Sequence, residues 1–284
     1  SCLVNVYQHV CKILIQSKLQ NKLLALVSVM VTCYTVPMNA IEVVGVTKKY
    51  KDFTLDNVSL EVPEGTIVGL VGENGAGKTT LIRLIMGASA PDDGTINVLG
   101  VNNRDGAFAE TKQDIGIVLD EGCLPLVKIK FLEKIFAAAY KNWDHEQFAQ
   151  YLKEFEIPTN KNVKDVSRGT KMKLALALAL SHHAKLLVLD EPTGGLDPLV
   201  RDEIVEVLGA FTQDKEHSIL FSSHIISDME KICDYVAFIH KGKNMFFERK
   251  DDLEKKVAEK NLPTLEEYIV AVAKEMKKNE SIVH

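Results

Sequence analysis

The chain has 284 residues, 34 Lys and Arg against 39 Asp and Glu for a net charge of −5, and is 46% hydrophobic. That length suits one large α/β domain or two modest ones, and the apolar content excludes a disordered chain. A mean hydropathy of +0.01 excludes a polytopic membrane protein, and a pI of about 5.9 argues against a nucleic-acid binder working through a positive field. Five cysteines (Cys2, Cys11, Cys33, Cys123 and Cys233) are odd in number, widely spaced and never paired as CxxC. Neither a disulfide framework nor a zinc site is expected, and a reducing compartment is the default.

Residues 1–37 differ from the rest, with three lysines (Lys12, Lys18 and Lys22) and no carboxylate. Their apolar run, 23–36, is 14 residues long, short of the roughly 20 that a spanning helix needs. They are read as an N-terminal extension outside the native domain, with Met38 as the natural start. A membrane-surface helix is the alternative.

From Met38 onward, strand and helix alternate. Residues 41–46 and 55–62 read as half-buried strands, the second closed by Pro63, and 66–71 as a short strand running into glycines. Residues 78–86 read as a helix with Gly87 past its end, and Pro91-Asp92-Asp93-Gly94 as a turn. Residues 115–119 form another buried strand, and 131–156 a helical stretch broken at Trp143-Asp144. Leu and Ala alternate strictly over 174–180, a strand period, but both are strong helix formers and a helix is expected. Residues 186–189 and 218–222 are short buried strands, and 236–239 with 245–247 form a hairpin. A helical tail occupies about 250–284.

The chemistry begins where the third strand ends. Gly72-Glu73-Asn74-Gly75-Ala76-Gly77-Lys78-Thr79, followed by Thr80, matches G-x-x-x-x-G-K-[ST] without a gap. Glycines let backbone N–H groups curl around phosphate oxygens, and the following helix aims its positive end at them. Lys78 reaches the β- and γ-phosphates, and the Thr79 hydroxyl is placed to ligate Mg²⁺. Leu186-Leu187-Val188-Leu189-Asp190-Glu191 places Asp190 112 residues after the lysine. Asp190 then stands at the C-terminal edge of a sheet as the Mg²⁺ carboxylate, and Glu191 one residue on as a general base.

Four further features point to a family. Val166-Ser167-Arg168-Gly169-Thr170, with its serine 23 residues before Asp190, resembles the LSGGQ signature of ABC transporter ATPases. Pro192-Thr193-Gly194-Gly195-Leu196-Asp197 resembles the D-loop, and Ser222-Ser223-His224, its histidine 34 residues after Asp190, the switch. Tyr50, 28 residues before Lys78, matches the aromatic A-loop residue that stacks on adenine. The resemblance spans about 40–250. Arg168 and Thr170 replace a glycine and a glutamine of the signature, and Asp120 stands where the Q-loop glutamine is usual.

The resemblance implies a P-loop NTPase fold: a parallel sheet core, an antiparallel β subdomain presenting Tyr50, and a helical signature subdomain over about 121–182. It implies that ATP and Mg²⁺ bind to a head-to-tail dimer, homomeric or heteromeric, in which Ser167 and Gly169 of one copy complete the other's site. Glu191, His224 and Lys78 would be catalytic. Tyr50, the P-loop from Gly72 to Thr80, Asp120 and Asp197 would contact nucleotide, and Thr79, Asp190 and Asp120 the metal. A separate membrane permease would dock near residues 120–132, on the cytoplasmic face of the membrane, with no nucleic acid involved. Ser-Arg-Gly followed by Gly-Leu-Asp-Pro resembles the drug- and antibiotic-exporting branch. An importer ATPase, or a soluble ABC ATPase of DNA repair or translation, is the alternative. Residues His182-His183 suggest a metal pair, but solvated side chains on different helix faces are expected instead.

Overall fold

The computed structural model describes residues 38–119 and 124–280. The extension read over 1–37 and the Q-loop position Asp120 lie outside them.

Two sheets organise the chain. Strands β1 (Asn39–Lys49), β2 (Thr54–Pro63), β4 (Asp93–Val98) and β5 (Val101–Asn102) form an antiparallel sheet in the order β2-β1-β4-β5. In β2 every inward residue is apolar (Leu55, Val58, Leu60 and Val62), the pattern of a strand with one wet face. The second sheet takes β3 (Ile67–Val71), β6 (Ile115–Val118), β7 (Leu186–Asp190), β8 (Ser218–Ser223), β9 (Tyr235–His240) and β10 (Lys243–Arg249). Its order is β10-β9-β3-β8-β7-β6, parallel from β9 to β6, with β10 as an antiparallel edge. Strands β3, β7 and β8 are buried along their whole length, so their apolar runs need no alternation.

Helix α1 (Lys78–Ile85) and the antiparallel sheet cover one face of this sheet, where Leu81 and Ile85 pack with Val68, Val188 and Leu220. The short α2 (Phe108–Thr111) leads into β6, and α3 (Ile129–Ala139) and α4 (His145–Glu154) come after it. Helices α5 (Arg168–Leu180), α6 (Pro198–Phe211), α7 (Ile226–Ile232), α8 (Lys250–Glu259) and α9 (Leu265–Glu280) complete the chain. The last five pack on the opposite face, joining Leu176, Leu208, Met229, Leu253 and Ile269 to Val71, Leu189 and Phe221. A separate small core joins Ile129, Leu132 and Phe148 to Leu174, Ala177 and Leu178.

Helix α5 belongs to both of these cores. Met172, Leu176 and Leu180 face the sheet, while Leu174, Ala177 and Leu178 face α3 and α4. The Leu/Ala alternation is thus a helix buried nearly all round, where period carries no information about which face is wet.

The expected elements form, with two corrections. The turn at Pro91-Asp92-Asp93-Gly94 is shorter than expected, because Asp93 and Gly94 already belong to β4. Asp92 closes it by accepting from Lys49 N at 2.7 Å and Lys48 Nζ at 2.8 Å. His182 and His183 come after α5 rather than sitting within it, and His182 is buried, not solvated. Its ring stacks on Tyr140 at 3.8 Å and its Nδ1 lies 3.1 Å from the Gln113 carbonyl oxygen. Burial holds its pKa down at about 4. His183 is exposed, 3.4 Å from Asp144 Oδ2. No group of three or more potential metal-ligating His, Cys, Asp or Glu side chains is found among the described residues.

Candidate nucleotide site

The site is assembled at the C-terminal ends of three neighbouring strands, β3, β8 and β7, where ligands of open α/β sheets sit. The loop after β3 turns through Gly75 (φ 81°) and Gly77 (φ 113°) into α1, whose N-terminus carries no side-chain cap. Its first N–H groups are therefore available to an anion. A Cβ at Gly77 would stand 2.8 Å from Phe53 Cζ, so both backbone angle and space require glycine there. Lys78 is only 5% exposed and its ammonium donates to the Gly72 carbonyl at 2.6 Å and the Glu73 carbonyl at 3.3 Å.

The end of β7 supplies the carboxylates. Asp190 is buried and its Oδ1 accepts from Ser222 Oγ at 2.6 Å. Glu191 is held in a left-handed conformation (φ 51°) by its N–H, which reaches Ser222 Oγ at 3.0 Å. Its Oε1 then stands 3.1 Å from Lys78 Nζ and its Oε2 2.7 Å from His224 Nδ1. One carboxylate thus joins the residue groups that come after all three strands.

The segment after Glu191 is pinned from behind. Gly194 N donates back to the Glu191 carbonyl at 3.1 Å. Fully buried Asp228 accepts from Thr193 Oγ1 and from Arg201 Nε, each at 2.7 Å. A buried carboxylate with both oxygens occupied is tolerated, whereas removing one partner costs several kcal/mol, roughly 3–5. Asp197 caps α6, accepting from Val200 N at 3.1 Å, with Pro198 at the first helical position.

The P-loop from Glu73 to Thr80, together with Asp52, Phe53 and Glu191, walls an open cleft of about 460 Å³. Thr79 is exposed and lines it. The cleft contains neither Tyr50 nor the signature residues. Tyr50 lies in the β1–β2 connection, 47% exposed, with its N–H donating to the Phe53 carbonyl at 2.7 Å. Ser167 instead caps α5, accepting from Thr170 N at 3.2 Å, and Gly169 is buried against Val200. Asp52 and Phe53 are the wall residues that sequence reasoning missed; the one signal for Phe53 is a second aromatic three positions after Tyr50.

Comparison with known proteins identifies the family. Residues 55–194 match the ABC transporter family. The bacitracin transport ATP-binding protein BcrA of Bacillus licheniformis is 33% identical over 213 residues, covering 72% of this chain and 67% of that protein. The protein of the same name from Enterococcus faecalis is 32% identical over 207 residues, 71% and 67% of the two chains. The Nod factor export ATP-binding protein I of Rhizobium meliloti is 35% identical over 221 residues, 75% and 65%. An ATP binding subunit of an ABC transporter superposes with a TM-score of 0.72 at 25% identity, over 82% of this chain and 99% of that one. The cassette MJ0796, solved as a post-hydrolysis dimer with ADP and Pi, shares the fold at a TM-score of 0.66 and 22% identity, over 74% and 98%. The chain belongs to the ABC transporter ATP-binding family.

Proposed function

We propose that this chain hydrolyses ATP as a head-to-tail dimer and thereby drives export through a separate membrane permease. The observation that carries the catalytic part is the position of Glu191, gripped by Lys78 on one oxygen and His224 on the other. When phosphate oxygens claim Lys78, the carboxylate is left facing the cleft with only the histidine to orient it. Glu191 then takes a proton from water as the water oxygen bonds to the γ-phosphorus. The bond to the β–γ bridging oxygen breaks, giving ADP and phosphate.

The donor set fits Mg²⁺, since Thr79 offers a hydroxyl at the cleft and Asp190 a carboxylate fixed by Ser222. Thr79 and Asp190 would hold the ion, and it would supply charge neutralisation on the β- and γ-phosphates. Asp120 belongs to the same proposal. The absence of Ser167, Gly169 and Asp197 from the cleft wall supports their use on a second copy's nucleotide. Tyr50, at the rim of the antiparallel sheet, is proposed as the adenine platform with Phe53 beneath it.

Among the described residues no helix is long and apolar enough to cross a membrane; a spanning partner for transport belongs to the proposal. On α3, Phe131 and Ile135 lie one turn apart and are 45% and 43% exposed, beside Leu126 at 75%. This apolar patch supports docking of the permease on the helical subdomain, on the cytoplasmic face of the membrane. The Nod factor export relatives favour export over import, and the bacitracin transport relatives favour an antibiotic as cargo, with a drug or a peptide as the other classes.

Glu191→Gln tests the reading. ATP binding should survive while phosphate release falls by roughly 10²–10⁴-fold, and the ATP-bound dimer should accumulate in light scattering. Near-normal turnover would end the assignment of Glu191 as base.

A further inference from the structure

Arg168 stands in the signature where a glycine is usual, and its side chain turns toward its own chain. Gly195, in the segment after Glu191, has φ +66°, and a Cβ there would stand 2.6 Å from Arg168 Nη1 and 3.1 Å from Cζ. The guanidinium therefore occupies the volume that a side chain at Gly195 would need. Two further contacts run beside it. Gly169 packs on Val200, whose Cγ1 would be 3.0 Å from a Cβ at Gly169, and Lys173 pairs with Glu203. The first two turns of α5 are thus fastened to the first two turns of α6 and to the segment that precedes it.

That segment ends at the base. Gly194, next to Gly195, donates to the Glu191 carbonyl, and a Cβ on it would be 3.5 Å from Glu191 Oε2. The contact path is Arg168, Gly195, Gly194, Glu191: from the turn proposed to meet a second copy's phosphate to the base of the same chain. Thr193 and Pro192 are buried, and Thr193 is anchored on Asp228. With Thr193 anchored, Gly194 and Glu191 are the near neighbours through which a shift of Gly195 is passed on.

We infer that Arg168 is a positioning residue: by seating on Gly195 it ties the signature turn of one protomer to the orientation of that protomer's own Glu191. Engagement of phosphate by the signature on one side of the dimer then sets the base on the other. The inference rests on the proposed roles of Glu191 and of the dimer. Carboxylate orientation is sensitive to small shifts, and a displacement of about 1 Å costs roughly 10²-fold in rate at worst. An arginine suits the task because its planar group holds a defined packing that a flexible ammonium does not.

The test is a double-mutant cycle on the full chain, reading ATP turnover, ATP KM and thermal midpoint for Arg168→Ala, Gly195→Ala and the pair. Arg168→Ala should lower kcat about tenfold with KM within twofold and the midpoint unchanged. Gly195→Ala, which evicts the guanidinium, should give a similar loss. The pair should be no worse than the poorer single variant, because both remove one contact. Arg168→Lys should recover only part of the rate. Unchanged kcat in Arg168→Ala, a KM rising in step with any loss, or multiplicative losses in the pair would each overturn the inference. Glu191→Gln is measured alongside: if it retains turnover, the assignment of the base has failed. If it loses turnover while the cycle shows no coupling, only the role of Arg168 has failed.

Discussion

Lys78 Nζ and Glu191 Oε1 stand 3.1 Å apart, on side chains only 5% and 23% exposed. The residue proposed to bind phosphate and the residue proposed to activate water therefore neutralise each other before nucleotide arrives. A γ-phosphate has to replace that carboxylate at the ammonium. The pair is a competitor for ATP as well as a store of the base.

Glu191→Gln should accordingly bind ATP more tightly than the native protein. A partly buried ion pair of this kind is worth about 1 kcal/mol, or roughly a fivefold lower Kd. Equilibrium binding of a fluorescent ATP analogue, displaced by ATP, measures it. An unchanged or weaker affinity would show that the pair exerts no hold on Lys78.

His224 should act on Glu191 rather than on nucleotide affinity, since its Nδ1 meets Glu191 Oε2 at 2.7 Å. His224→Ala is expected to lower kcat by roughly 10–10²-fold through lost orientation, with ATP Kd changed less than twofold. A large affinity loss with kcat intact would move the histidine from the base to the nucleotide.

His182 makes a prediction about acid stability. Its pKa is about 4 in the folded chain, against 6.5 for an unperturbed imidazole. Above 6.5 both folded and unfolded forms are neutral and the residue adds no pH dependence. As pH falls from 6.5 towards 4 the unfolded chain takes up a proton that the folded one refuses, so stability is lost by roughly 1–3 kcal/mol. Denaturant unfolding at pH 7.5 and 4.5 should show that loss in the native protein and a smaller one in His182→Gln. Equal losses in both would assign the acid sensitivity to other groups.

We also propose that residues 1–37 are dispensable. A chain starting at Met38 should keep its ATP affinity and its thermal midpoint to within about 2 °C. A larger fall in differential scanning fluorimetry would mean that the segment packs on the domain.

The motifs that carry chemistry were legible because each is local: glycines and a lysine at fixed offsets, an apolar strand ending in two carboxylates, a histidine after a third strand. Chain order also made the sheet readable, since short β-branched runs alternate with helical ones. What stayed hidden is contact across long sequence separation. The burial of His182 depends on Tyr140, 42 positions earlier, so a pair of histidines read alone looks like two solvated helix positions. Helix α6 starts well on Asp197 and Pro198, but its apolar pattern is only moderate, so spacing alone does not mark it as a helix. Tyr50 has the spacing expected of the adenine-stacking aromatic, while only packing against Gly77 shows that Phe53 reaches the P-loop.

Strand β8 lies between β3 and β7, so the two halves of the site grow from strands about 9–10 Å apart. Lys78 and Glu191 meet only by leaning inward over the end of that middle strand. The end is therefore a saddle, and it carries Ser222, a small residue level with Leu70 of β3 on one side and Asp190 of β7 on the other. Ser222 also steers the carboxylate side, giving its hydroxyl proton to Asp190 and accepting the Glu191 N–H. A larger side chain at Ser222 would raise the saddle and hold lysine and carboxylate apart with the P-loop, Asp190, Glu191 and His224 all intact. A damaged copy of this subunit can thus keep its lysine, both carboxylates and its histidine and still have no working site.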